Sequence, residues 1–260
     1  MNARRSYLPG VFGQISQTES AANAHYDSLQ LTVRRRFSRG FSLTASYTLA
    51  KSIDETSEDK FNPTVVSFVD SNNRKLDRGA SDFDTRHTMV VSFVWELPAT
   101  VRWGLVGKHV LSGWQLNGIT RADSGNPFTV VTGSDTNLDG NNNDRPNLTA
   151  NPRLSPDRPR DALIARYFEP SAFRPALEGS VGNAGRNLLY GPGSINWNMS
   201  LFKAIRLSER QRLQFRSEFF NLMNHVNLAN PVAILNSGNV GRILDAGEAR
   251  VVQFGMKYVF

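Results

Sequence analysis

Apolar side chains recur at every second position through residues 26–51. Leu29, Leu31, Val33 and Phe37 share one face, and Ser28, Gln30, Thr32 and Arg34 share the other. After Ser38, Arg39 and Gly40 the alternation resumes, with Phe41, Leu43, Ala45, Tyr47 and Leu49 set against Ser42, Thr44, Ser46, Thr48 and Ala50. A period of two marks strands, and Gly40 supplies the positive φ of a tight turn, so the pattern predicts a long hairpin. Residues 87–95, 114–119, 196–201 and 213–219 alternate in the same way. So does the final stretch, where Val252, Phe254, Met256, Tyr258 and Phe260 fall on one face. The prediction is about seven strands of about 9–12 residues, the span of tilted membrane strands.

The connections alternate between short and long. Residues 38–40 and 207–211 are short, 97–113 is intermediate, and 53–84, 124–194 and 221–248 are long and polar. An up-and-down barrel with tight turns at one end and large loops at the other has this rhythm. Structureless loops of such length are foreign to a compact water-soluble domain. Aromatic residues sort by end. Phe37, Phe41, Trp95, Trp114, Phe215, Tyr258 and Phe260 lie near the short turns, and Tyr47, Trp197 and Phe219 near the long loops. Such girdles suit two bilayer interfaces. Alternation alone leaves two arrangements open. A soluble barrel hides its apolar face, and a membrane barrel turns it to lipid. Strand length, loop asymmetry and the girdles favour the second.

Composition narrows the function classes. The chain has 260 residues, a net charge of +7 and no cysteine, which removes thiolate nucleophiles, disulfides and cysteine zinc sites. Its arginines are scattered rather than clustered, so no nucleic-acid partner is expected. No apolar run reaches the length of a membrane helix. Residues 1–10 do not read as a signal peptide, so the expectation is either a cytosolic protein or the tail of a longer chain.

Two local patterns carry possible chemistry. Asp135, Asn137 and Asp139 are spaced by two and followed by Gly140, like the opening of a calcium loop. The closing Glu is absent, and Asp144 is the candidate replacement. The alternative is a polar outer loop in which Asn, Asp and Gly supply turns. Asp82, Asp84, Arg86 and His87 gather acid, base and cation. They sit where a long loop enters a strand, so an Asp84–Arg86 ion pair is expected rather than catalysis. His25, His87, His109 and His225 lack ligand spacing. Arg34, Arg36, Arg86, Arg121, Arg216 and Glu218 belong to the polar face, which in a membrane barrel lines the lumen.

Several blocks carry a resemblance. They are residues 23–30, 41–52, 82–87, 113–118, 144–146 and 218–225, together with a C-terminal pattern of Val252, Phe254, Met256, Tyr258 and Phe260. In this order they resemble the barrel of Oar-like TonB-dependent receptors, and those five alternate C-terminal positions resemble the assembly signal of bacterial outer-membrane barrels. The resemblance implies an all-β, antiparallel, up-and-down transmembrane barrel in the bacterial outer membrane. It implies energised movement of a large or scarce solute and no enzyme activity. Implied partners are outer-membrane lipid and lipopolysaccharide, the barrel-assembly machinery, and a TonB complex reached only through upstream segments. The resemblance implies no cofactor; calcium stands as a candidate in an outer loop on the spacing of Asp135, Asn137, Asp139 and Asp144 alone. Receptors of this kind have roughly 22 strands around a plug. The chain is therefore expected to be the C-terminal portion of such a barrel, without plug: a truncated gene, a partial gene model or a piece of a longer chain. The runner-up is an adhesion or ligand-binding barrel without transport, and the third reading is a soluble β-barrel binding module.

Overall fold

The computed structural model describes residues 20–57, 68–70, 73–98 and 112–260. Expectations for residues 1–10, for most of the 97–113 connection and for His109 lie outside the described residues. Twelve strands are defined among the described residues. Seven are long: β1 (Ala24–Ser38), β2 (Phe41–Asp54), β4 (His87–Glu96), β5 (Trp114–Asp123), β10 (Ser194–Arg206), β11 (Arg212–Phe220) and β12 (Val251–Val259). Each pairs antiparallel with the next, in the order β1-β2-β4-β5-β10-β11-β12, and the two-residue β3 (Gly79–Ala80) adds to β2. The sheet is open, with β1 and β12 at its edges.

The register carries one apolar face across all seven long strands. Leu31 stands opposite Tyr47, Tyr47 opposite Met89, and Met89 opposite Ala122. Further along, Trp95 meets Leu116, Leu116 meets Leu201, Leu201 meets Ser217, and Ser217 meets Phe254. The other face is polar: Thr32 bonds Ser46 at 3.3 Å, and Asn117 donates to Ser200 at 3.3 Å. Because the side-chain period is two, a slip of one residue on any strand would move that strand's apolar set to the polar face. Among the described residues, no protein layer covers the apolar face. Val33 is 66% exposed, Phe254 75% and Met256 69%. An uncovered apolar face seven strands wide exceeds the patches tolerated on water-soluble monomers.

Short turns close one end. Arg39 (φ 51°) and Gly40 (φ 77°) form a two-residue turn between Ser38 and Phe41, with the left-handed backbone that such hairpins require. The register shifts between Arg35 and Ser38. Arg36 therefore falls in an irregular stretch rather than in the regular polar row expected of it. At this end Lys203, in line with the apolar row, bonds Ser112 O and lies 5.1 Å from the Trp114 ring. A backbone carbonyl and an aromatic ring thus meet its charge at the end of the sheet.

The loop of residues 124–193 is folded, contrary to the structureless reading. Residues 124–193 contain four short strands, β6 (Pro127–Phe128), β7 (Asn147–Leu148), β8 (Phe173–Arg174) and β9 (Leu189–Tyr190), and the short helix α1 (Arg160–Ala165). Strands β6 and β9 pair, as do β7 and β8. Phe128, Val130, Phe168, Ala172, Phe173, Ala184 and Leu189 form a hydrophobic core, against which Ala233, Leu235 and Val240 of the 221–248 loop also pack. The main apolar core thus sits in this loop cap and not against the sheet.

Candidate functional site

The strand ends, the 53–84 loop and the cap meet in a polar knot centred on Arg186. Its Nη2 donates to Asp54 Oδ1 and Ser57 Oγ, both at 2.6 Å, and Nη1 donates to the carbonyls of Asp54 at 3.1 Å and Asp77 at 3.0 Å. Asn187 (φ 53°) follows and donates from Nδ2 to Ala80 O at 2.7 Å and Asp82 Oδ1 at 2.5 Å. Gly79 admits this approach, since a Cβ there would lie 2.6 Å from Arg186 O. The Arg186–Asp54 pair is largely buried, with 12% and 4% side-chain exposure. Removing Arg186 should cost roughly 3–5 kcal/mol, because the buried Asp54 charge loses its cation; Arg186 itself also reaches Asp82 Oδ1 at 3.4 Å.

Asp84 joins the knot from the other side. It is buried, and its Oδ1 accepts from Ser52 N at 2.6 Å while Oδ2 accepts from Tyr190 OH at 2.7 Å. The expected Asp84–Arg86 ion pair does not form among the described residues. Ser52 and Tyr190 take both carboxylate oxygens, and Arg86 lies exposed just before β4. Burial, followed by the hydrogen bond and charge of Asp84, pushes the Tyr190 phenol up to about 12. Arg145 is almost fully buried, 3.6 Å from Asp77. Burial lowers its pKa, and Asp77 acts in the opposite sense. Asp77, Asp82, Phe128, Arg145, Arg186 and Asn187 border a cavity of about 340 Å³.

The Asp-rich segment lies beside this knot, and the structure gathers its four predicted residues into one loop. Asp135 accepts from Asp139 N at 3.0 Å and Gly140 N at 2.9 Å. Asp139 Oδ1 accepts from Asn141 N at 2.8 Å. Asp144 Oδ2 accepts from Thr136 N at 2.5 Å and Asn137 N at 2.7 Å. Among the described residues, no group of three or more His, Asp or Glu side chains is placed to hold a metal ion.

The predicted polar-face residues are not gathered into one site. Arg34 pairs in register with Thr44 on β2, Arg121 with Val90 and Asn196, and Glu218 with Ser200 and Gln253. Arg121 bonds Asp123 at 2.6 Å, and Arg216 lies 5.1 Å from the Phe202 ring. The C-terminal residues share one face as predicted. Val252, Phe254, Met256 and Tyr258 oppose Phe219, Ser217, Phe215 and Leu213, and Phe260 stacks on Tyr258 at 5.8 Å. At the long-loop end Tyr47 OH bonds His87 Nδ1 at 2.7 Å.

Arg186, Asn187, Tyr190, Asp54, Asp77 and Arg145 were not picked out by sequence reasoning. Their partners lie far along the chain, so no local spacing announces them. The available signal was compositional: a lone Arg-Asn pair between Gly185 and Leu188 inside a long loop.

Seven long antiparallel strands, an uncovered apolar face, a polar opposite face and a structured loop cap at one end define a membrane β-barrel type of protein. The chain belongs to the outer membrane beta barrel domain family, whose profile matches residues 1–253. That places it in the bacterial outer membrane. The outer membrane transporter YddB from Escherichia coli is similar in structure, with a TM-score of 0.41 and 10% identity. The likeness covers 92% of this chain and 25% of that one, so the chain spans about a quarter of that transporter's length. No curated protein matches the chain.

Proposed function

We propose that the chain is part of the barrel of a TonB-dependent receptor of the Oar-like kind, which moves a large or scarce solute across the outer membrane. One observation carries the reading: a register-continuous apolar face on a sheet whose two edges are open. Backbone groups at open edges are not tolerated in lipid, so further strands must close the ring. The blocks quoted above supply the specific resemblance to Oar-like receptors. In this reading the long loops face outward, the polar row lines the lumen, and Val252, Phe254, Met256, Tyr258 and Phe260 form the signal read by the barrel-assembly machinery. Lipid and lipopolysaccharide surround the apolar face. The knot around Arg186 is scaffold for a binding surface rather than a catalytic site, since its strongest donors and acceptors are taken up between loops.

The test compares cells with and without TonB that produce the protein. Isotope-labelled culture medium serves as the probe, and the label retained inside the cells is counted. TonB-dependent accumulation at equal outer-membrane protein levels supports transport. Surface retention that ignores TonB supports the second reading, an adhesion or ligand-binding barrel, which the folded cap also favours.

A further inference from the structure

The Asp-rich loop contains a group that its surroundings leave unsatisfied. Asp144 is 1% exposed, yet its Oδ1 is buried without a hydrogen-bond donor, while Oδ2 holds two backbone N–H groups. A buried carboxylate oxygen without a partner is costly. The charges bearing on Asp144 worsen this, because they are those of Asp139 and Asp135. The ion pairs among the described residues include none of these three carboxylates. Three like charges in one short loop, one of them with a buried orphan oxygen, call for a cation. The donors are carboxylates and an amide carbonyl at alternate positions, followed by Gly140 with φ 97°. No cysteine or histidine lies in the segment. An all-oxygen set of this kind suits calcium over zinc, and over magnesium, which demands near-ideal octahedral geometry.

We infer that residues 135–144 form a calcium site, with Asp144 Oδ1, Asp135, Asn137 and Asp139 as protein ligands. The carboxylates do not stand as a ready-made group of three, because Asp135 and Asp139 are turned onto backbone N–H groups of the loop. Binding therefore draws them inward and tightens the loop. The consequence reaches two other segments. Asn137 Nδ2 donates to Val69 O at 2.9 Å, and Val69 N donates to Asp77 Oδ2 at 3.1 Å. Gly179 N donates to Thr136 O at 2.8 Å, fixing a turn that presents Leu177 at 81% exposure. Calcium thus locks residues 68–70, 73–77, 132–146 and 177–180 into one surface. This inference does not depend on the transport reading.

The test uses the full chain refolded in detergent, stripped with chelator and titrated calorimetrically with calcium chloride. One saturable site is expected, with a dissociation constant at or below about 1 mM, the weak end for extracellular calcium modules. Calcium, and not equal magnesium, should slow protease cleavage within 134–144 and 177–180. Asp144→Asn should weaken binding at least about tenfold. If that variant fails to refold, Asp139→Asn, whose amide still accepts from Asn141 N, provides the comparison. No saturable heat with the unaltered chain, or unchanged binding in a folded variant, overturns the inference.

Discussion

Tyr190 is the residue whose chemistry reports most directly on the cap's attachment. Its hydroxyl donates to Asp84, which in turn holds Ser52 N, so one proton ties β9 to the end of β2. Removing that proton would place a phenolate beside the buried Asp84 carboxylate. The folded-state pKa is therefore raised, from 10.0 to about 12. For a raised pKa the stabilisation is complete below the unfolded value and is lost as pH rises through the folded one. Cap stability should then fall between pH 10.0 and about 12, and Tyr190→Phe should remove that part of the fall. Ultraviolet titration of the protein minus the variant should show one phenol ionising near 12. A difference curve centred near 10.0 would show that the Tyr190–Asp84 bond is not made. At this scale the sequence was only partly legible. The 82–87 segment reads as the entry to a strand, and β4 does begin at His87, but the partner expected for Asp84 is not the one it takes. Asp84 and Arg86 are neighbours in sequence, whereas Tyr190 is 106 residues away, and periodicity holds no information about that distance.

At the scale of elements, the strands were legible and the loops were not. Alternation is imposed on every residue of a strand with two unlike surroundings, so it survives in the sequence as a repeating signal. The cap has no such repeat. Its core is assembled from single residues on short pieces, such as Phe128 on β6, Phe173 on β8, and Phe168 between α1 and β8. Phe168 is 1% exposed and meets Phe128 at 5.8 Å and Phe173 edge-on at 5.9 Å. Phe168→Ala should cost about 3–5 kcal/mol in a core of this kind. The loss should be local. Hydrogen exchange should quicken across residues 127–190 while the amides of β4, β5 and β10 keep their protection. Equal loss in the long strands would mean that cap and sheet fold as one unit. The irregular register between Arg35 and Ser38 was hidden for a related reason, since an inserted residue changes phase at only one place. Gly125 shows why the loop can return to its own base: a Cβ there would lie 1.7 Å from Gly191 O.

At the scale of the whole molecule, the sheet has the inside-out character of a membrane barrel. Its apolar residues are held in register and, among the described residues, left uncovered, while the main hydrophobic core lies in the cap. Sequence pattern alone left open which face meets protein and which meets lipid, because a period of two is the same in both cases. The exposed face and the membership of the outer membrane barrel family resolve that choice together. The central claim is that odd-numbered positions of β10 face lipid and even-numbered ones face water. The chain contains no cysteine, so single cysteines can be introduced one at a time. The most direct measurement places a fluorophore at residues 198, 199, 200 and 201 of the protein in lipid vesicles. Labels at Met199 and Leu201 should be quenched by spin-labelled lipid, and labels at Asn198 and Ser200 by iodide. The reverse pattern, or uniform quenching by iodide at all four positions, would contradict the account.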